Sequence, residues 1–310
     1  MQVLIKLFRY AVSFVACALN LVILSSVVFV LCTMRFMLQM IFGSKILSYL
    51  SAVLDRVIND LICLHSCNLR RILQFLCGVD LQCHLPESLS QERSYVMVIN
   101  HRSQVDILII LAVFYDRIPD VKFFLKQSLF WTPFLGQFCY LMNYIFVQRL
   151  QPDAVRRDPT IVHRQREKIR QQCRQLSVKP VTLAVFAEGA RYCSQKTVSQ
   201  KNHFTHLLSP QPAGLALALE ATAPLTEEVL DVTLAYDVGF VSVWLLLSGQ
   251  VRTIEIHADT YDVQALRLVG DYAKDRQFRK RFTEWVRQLW SRKDALLHQI
   301  LVRYGRLPSS

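Results

Sequence analysis

The chain has 310 residues, 52% of them hydrophobic, and carries 36 Lys and Arg against 24 Asp and Glu, a formal charge of +12. That length supplies ample core for one large domain or two small ones, and the basic balance calls for an anionic partner. No zinc-finger spacing, arginine-rich tract or aromatic RNA-binding signature supports nucleic acid, and nine cysteines without a CxxC suit a reduced compartment better than a disulfide scaffold.

From Tyr10 to Met34 there is no charged residue. As a helix this stretch would run roughly 35 Å, more than the ~30 Å hydrocarbon layer of a bilayer, so it reads as a membrane span. A cleaved leader is the rival, because Lys6 and Arg9 precede the stretch; against it, the stretch is too long and no A-x-A-like site follows. Lys6 and Arg9 on one side face Arg35 on the other, so the positive-inside rule leaves orientation open. The next apolar segment, Phe36 to Leu54, carries Lys45 near its middle, which predicts a re-entrant or interfacial helix rather than a second crossing. With an anchor present, an anionic membrane surface or phosphate-bearing lipid is the economical partner for the positive charge.

"LICLHSCNLRRILQFLCG", residues 61 to 78, has apolar residues at helical spacing and ends at Gly78. The spacing predicts a core or membrane-facing helix in preference to a metal site at Cys63, His65 and Cys67. After Gly78 the pattern alternates: Val79, Leu81, Cys83 and Leu85 are apolar between Asp80, Gln82 and His84, a half-buried strand with His84 on its wet face. Short apolar runs follow at 95–99, 121–125, 144–147, 181–186, 230–235 and 252–256, most of them separated by segments of helical length. That is the pattern of an α/β layer structure whose mostly parallel sheet is flanked by helices. The expected division is 1–78 as membrane anchor and membrane-associated helices, and 79–310 as one α/β domain ending in an amphipathic helix. The basic segment "HRQREKIRQQCRQLSVK", 163 to 179, predicts a helix with a solvated charged face. Near the C-terminus, Phe278, Phe282, Trp285, Leu289, Trp290, Leu296, Leu297 and Ile300 recur at three- and four-residue steps, a stripe expected to pack on the domain.

The chemistry-bearing residues begin in "YVMVINHRSQVDILI", 95 to 109. Positions five apart differ by about 140° around a helix, so His101 and Asp106 can meet only if His101 lies in the loop before it. A strand ending at Ile99, Ser103 as N-cap and Asp106 in the capping-box position would allow this. The same spacing admits two readings: a general base with its orienting carboxylate, or a loop His beside a helix cap. It also recurs at His257 and Asp262, so the spacing alone decides nothing. "LAVFAEGARYCSQK", 183 to 196, is a buried strand running into Glu188, Gly189, Ala190 and Arg191, where Gly189 permits a sharp turn at the strand's carboxyl end. "NYIFVQR", 143 to 149, is a second strand, ending in Arg149. Carboxyl ends of strands are where open α/β sheets bind ligands, and Arg149 and Arg191 there would suit a phosphate.

The blocks "NHRSQVD", "YIFVQR" and "VFAEGAR", in this order after an N-terminal membrane segment, resemble the 1-acylglycerol-3-phosphate acyltransferase family, with its NHxxxxD, GxxFxxR and FPEGTR blocks. The likeness extends through "FFLKQSLFWTPFLGQ", "HLLSPQPAGLALAL" and "DVTLAY", over roughly residues 95 to 260, and looks closest to the enterobacterial lysophospholipid acyltransferase paralogues. The resemblance implies acyl transfer from acyl-CoA or acyl-carrier protein to the free hydroxyl of a lysophospholipid, with no cofactor or metal. His101 would be the general base and Asp106 its orienting carboxylate. Arg149 and Arg191 would hold the acceptor phosphate, Glu188 and Gly189 would shape the acceptor site, and Lys126 would be a further phosphate contact. The expected location is a bacterial inner membrane, with the catalytic portion facing the cytoplasm as the cysteine usage suggests. Ala187, Ala190, Asn143 and Gln211 depart from the family's Pro, Thr, Gly and basic residue, which bears on acceptor preference. The competing class is a catalytically silent phospholipid-binding membrane protein on the same fold; a serine esterase is disfavoured because no G-x-S-x-G elbow occurs.

Overall fold

The computed structural model describes residues 2–41, 44–132, 136, 139–140, 143–148, 152–158, 160–176, 180–192, 203–223, 225–239 and 241–306. It opens with two long helices, α1 (Gln2–Ile41) and α2 (Ser44–Arg71). The stretch Val3–Leu31 of α1 is long and apolar enough to cross a membrane, and most of its side chains are not buried against the rest of the chain. Leu24 and Val28 of α1 cluster with Ile58 of α2, and Asn20 Nδ2 donates to the His65 carbonyl, so the two helices run antiparallel. The segment 36–54 expected as a re-entrant or interfacial helix is shared between these two helices, with residues 42 and 43 outside the described residues. Beyond α2, a π-helical turn over Ile72–Leu76 ends the helical run before Gly78. Leu69, Leu73 and Cys77 point into the main core, and the Cys63 thiol meets the Tyr115 carbonyl, so the 61–78 segment is a packing helix as its periodicity predicts.

Seven strands follow: β1 (Asp80–His84), β2 (Ser94–Ile99), β3 (Val121–Lys126), β4 (Ile145–Val147), β5 (Thr182–Phe186), β6 (Thr226–Tyr236) and β7 (Thr253–Asp262). They form one sheet in the order β1-β7-β6-β2-β5-β3-β4. Five of its six pairings are parallel; β6 and β7 pair antiparallel in an unbroken register from Glu228↔Asp262 to Tyr236↔Ile254. Both strands overrun their expected lengths, because cross-strand pairing carries them past the apolar runs that announced them. The central strand β2 is buried at every position, as a parallel strand covered on both faces must be.

Helix α3 (Asp106–Phe114) and the short α7 (Val243–Leu247) lie with the N-terminal helices on one face; Tyr95, Met97, Ile99, Leu230, Val232 and Leu234 turn toward them. On the other face lie α5 (Thr160–Leu176), α6 (Pro212–Thr222) and α8 (Arg276–Arg303), met by Val96, Val98, Val185 and Val229; α4 (Pro152–Arg157) precedes α5. The stripe foreseen on α8 packs on the sheet: Phe278, Phe282, Leu289, Trp290, Leu297 and Ile300 are all buried. Each such side chain contributes about 1.5–3 kcal/mol of burial. One cation interrupts that stripe. Lys293, 2% exposed, donates to the Val232 carbonyl at 2.5 Å and pairs with the buried Asp231 at 2.5 Å, fixing α8 to the middle of β6.

Candidate active site

Strands β2, β6, β5, β3 and β4 run in one direction, so their carboxyl ends share an edge. His101 leaves β2 at that edge, held by its neighbours. Asn100, fully buried, accepts from the Leu234 N–H at 2.8 Å and donates to the Leu234 carbonyl at 3.0 Å, so its amide stands in for one more rung of the β2–β6 ladder. The His101 N–H donates to Glu188 Oε1 at 3.0 Å, its carbonyl accepts from the Tyr192 N–H at 2.7 Å, and its ring stacks on Phe186 with centroids 4.1 Å apart.

His101 and Asp106 do meet: Nδ1 lies 2.8 Å from Oδ2. The same oxygen accepts from the N–H groups of Arg102 (2.8 Å) and Ser103 (2.9 Å), while Oδ1 accepts from the Tyr236 hydroxyl at 2.5 Å. Asp106 has no solvent exposure. Four donors around a buried carboxylate leave it no freedom to turn. Burial first, and then the Asp106 charge, pushes the Tyr236 phenol far above its ordinary range, so that hydroxyl remains a donor. Nδ1 being engaged, the other ring nitrogen of His101 is left for the cavity it lines.

The expected cap differs in part. Val105, not Ser103, is the N-cap of α3, and the Ser103 hydroxyl donates to the Val241 carbonyl. Asp106 still reaches back to the Ser103 amide, so the half of the capping box carried by the acid is present. The two readings of His101 and Asp106 are therefore not exclusive: one carboxylate orders the loop and holds the imidazole.

Glu188, 5% exposed, bridges two loops, with Oε1 on the His101 N–H and Oε2 on the Leu208 N–H at 3.0 Å. Burial raises its carboxyl to about 7, against the two amide bonds that favour the anion. Gly189 has φ +65°, the left-handed turn expected after β5, and donates its N–H to the Phe186 carbonyl. Arg102 ties the loop to its surroundings: Nη1 donates to the His206 carbonyl at 3.0 Å and the guanidinium sits over the Tyr192 ring.

These groups open onto a cavity of about 900 Å³ between the sheet edge, α5 and α6. Its polar lining includes His101, Lys126, Arg166, Glu188 and Gln211, and its apolar lining includes Phe124, Val147, Val162, Ile169 and Leu217. Such a mixed cavity fits an amphipathic molecule. Of the residues singled out from sequence, His101, Lys126, Glu188 and Gly189 line it, with Asp106 directly behind His101. Arg191 is exposed and is not part of the lining, and Arg149 lies outside the described residues. The sequence reading missed Asn100, Tyr236, Phe186 and Arg166. For the first two a signal existed, the Asn of "NH" and the Tyr that closes "DVTLAY". Among the departures, Asn143 has φ +56°, a left-handed conformation that Asn adopts more readily than most residues other than Gly.

The second His-to-Asp spacing comes apart: Asp262 caps the turn after β7 through the Ala265 N–H, while His257 bonds Glu255 Oε2 at 3.1 Å. His84, Glu255 and His257 could offer a metal one ligand atom each, all within 4.8 Å. Glu255 already accepts from Tyr304, Arg303 and His257, and the two imidazoles stack nearly parallel, so their lone pairs do not converge. The group reads as a polar clasp between β7 and the end of α8.

A family model described as Acyltransferase matches residues 80–235, half of the chain, and the chain belongs to that family. Among curated relatives, an uncharacterized acyltransferase of Schizosaccharomyces pombe is 30% identical over 140 residues, covering 45% of this chain and 42% of that protein. The 2-acyl-1-lysophosphatidylinositol acyltransferase of Saccharomyces cerevisiae is 27% identical, covering 39% and 33%. The 1-acyl-sn-glycerol-3-phosphate acyltransferase alpha of Mus musculus is 24% identical, covering 51% and 47%. The matches thus span less than half the length of each of these relatives. In fold, the chain is similar to the crystal structure of the 1-acyl-sn-glycerophosphate (LPA) acyltransferase PlsC from Thermotoga maritima, with TM-score 0.54, 16% identity, and 94% and 98% of the two chains covered.

Proposed function

We propose that the protein transfers a fatty acyl chain from acyl-CoA or acyl-carrier protein to the free hydroxyl of a lysophospholipid. The free nitrogen of His101 removes the hydroxyl proton as that oxygen attacks the thioester carbonyl. The new C–O bond forms, the C–S bond breaks, and the imidazolium returns the proton to the departing thiolate. Asp106 fixes the tautomer and stabilises the imidazolium, the logic of the His–Asp half of a hydrolase triad with the substrate's own oxygen as nucleophile. Glu188 and Gly189 shape the acceptor site. Of the phosphate contacts that the family resemblance supplies, Lys126 lines the cavity, Arg191 is exposed outside its lining and Arg149 lies outside the described residues.

The observation that carries this reading is a His101 ring clamped to a four-fold bonded Asp106 and lining a cavity whose walls carry both cations and apolar side chains. The charge-free length of α1 supports residues 1–78 as the membrane-associated part and 79–310 as the acyltransferase part, on an anionic membrane surface. The odd count of nine cysteines with no CxxC supports a cytoplasm-facing domain, and the enterobacterial look of the sequence supports a bacterial inner membrane. The test is the purified full chain in detergent, assayed for lysophospholipid acylation with acyl-CoA and with acyl-carrier-protein donors. His101→Ala is expected to abolish transfer while leaving phospholipid binding intact. Absence of transfer by the parent protein from every donor and acceptor class would refute the proposal.

A further inference from the structure

The loop that carries His101 is braced by a second segment, residues 203–208, and that segment is held in turn by α8, which lies beyond the residues matched by the family model. Asp294 on α8 grips it with both oxygens: Oδ2 accepts from the Thr205 N–H at 3.0 Å and Oδ1 from the His206 N–H at 2.7 Å. One turn on, His298 meets the buried His206 ring, Nδ1 lying 3.1 Å from Nε2. A trans peptide is planar and its N–H and C=O point opposite ways, so a carboxylate holding the His206 N–H also aims the Thr205 carbonyl. That carbonyl accepts from the Tyr192 hydroxyl at 3.1 Å, and the next one, of His206, accepts from Arg102 Nη1 at 3.0 Å. Both donors belong to residues that hold His101: Arg102 follows it in the chain, and Tyr192 donates its N–H to the His101 carbonyl. Further along, the Leu208 N–H meets Glu188, whose other oxygen takes the His101 N–H.

We propose that Asp294 is a positioning residue for acyl transfer: it sets the 203–208 segment so that Tyr192, Arg102 and Glu188 hold the His101 backbone in place beside the cavity. The inference rests on the acyltransferase reading above. Asp294 is not part of the lining of the His101 cavity, so it acts on the reaction through these hydrogen bonds. A carboxylate with both oxygens engaged defines a direction as well as a distance. The competing account is that Leu207 alone anchors the segment, since it is fully buried in the core that α8 shares. Asp294 would then add stability and nothing to turnover. The His101 ring keeps its contacts with Asp106 and Phe186 in either case, so freeing its backbone costs part of the rate and not all of it. Misplacing a reacting group by about 1 Å can cost about 10²-fold, which bounds the effect from above.

The experiment uses the full-length protein in detergent, with thiol release from acyl-CoA and lysophosphatidate as the assay. Asp294→Ala is expected to lower kcat about tenfold with KM within threefold. Arg287→Ala, on the same helix but paired with Glu284, should change neither. Because Asp294 and Arg102 act along one path, Arg102→Ala combined with Asp294→Ala should lower kcat by about as much as the larger single change, and not by the product of the two. A kcat within twofold of wild type in a folded Asp294→Ala, or losses that multiply in the double variant, would overturn the assignment while sparing acyl transfer by His101. Should Asp294→Ala not fold, Asp294→Asn, which keeps one acceptor oxygen, is read by the same criteria. Hydrogen exchange of the same proteins reads the brace without turnover: amides of residues 203–208 and of 100–106 should both exchange at least about tenfold faster in the Asp294 variant. Acceleration confined to 203–208 would show that the segment does not hold the His101 loop. If wild type acylates nothing, the acyltransferase reading falls, and exchange alone decides: faster exchange at 100–106 upholds the brace, and unchanged exchange there ends it.

Discussion

Asp106→Asn isolates charge from shape at the proposed catalytic pair. The amide oxygen can take over Oδ2's three bonds, from His101 Nδ1 and the Arg102 and Ser103 amides, only if the new NH₂ group faces Tyr236. A hydroxyl can rotate to accept, so that orientation is tolerated, whereas the reverse would set NH₂ against two fixed N–H groups. The loop should survive, at a cost of about 1–2 kcal/mol. What disappears is the charge that stabilises the imidazolium. With charge centres about 4 Å apart and an effective dielectric of about 20, that attraction is worth about 4 kcal/mol. Such a loss corresponds to about a thousandfold in rate. The expected result is therefore kcat down by about 10³ with KM within threefold, read from thiol release with acyl-CoA and lysophosphatidate, and a melting curve close to wild type. Asp106→Ala provides the contrast: three N–H groups and a buried hydroxyl lose their acceptor at about 1–3 kcal/mol each, enough to unfold the domain. A well-folded Asp106→Asn that works within threefold of wild type would show that the carboxylate orders the loop and nothing more.

Tyr236→Phe removes the single donor to Asp106 Oδ1 and should cost about 1–3 kcal/mol in urea unfolding with less than a tenfold drop in kcat; an unchanged midpoint would mean that this bond carries no weight. Glu188 has a folded pKa raised to about 7, so the stability linked to its proton is complete below its ordinary carboxyl range and is lost as pH rises through about 7. The unfolding free energy of wild type should accordingly fall between pH 5 and pH 8 relative to Glu188→Gln, by on the order of 3 kcal/mol. The Gln variant should be less stable throughout but flatter, and parallel profiles would rule the mechanism out. Lys293→Met strands the buried Asp231 carboxylate and should cost about 3–5 kcal/mol in denaturant midpoint, with Asp231→Asn/Lys293→Met recovering at least half. A single variant costing under about 1 kcal/mol would contradict that account.

The sequence by itself determined the strands, the apolar first helix and the stripe on α8, because alternation and helical spacing are local consequences of which faces must leave water. It also determined the left-handed turn at Gly189, since only a residue without Cβ adopts that backbone freely. It could not decide whether His101 and Asp106 pair. The identical spacing at His257 and Asp262 lies along a strand, where an odd offset puts the two residues on opposite faces; at His101 a loop precedes the helix and the side chains converge. Tertiary structure alone brought Tyr236 to Asp106 across 130 positions of chain and joined Asn100 to Leu234 through the β2–β6 pairing. It also chose, from the many cations of α5, which one lines the cavity: Arg166 does, while the fold sets acids beside Arg164 and Arg170. Local pattern fixes which groups are buried and which turns are possible, whereas partnership among charged groups depends on distances that only a closed sheet and its packed helices define.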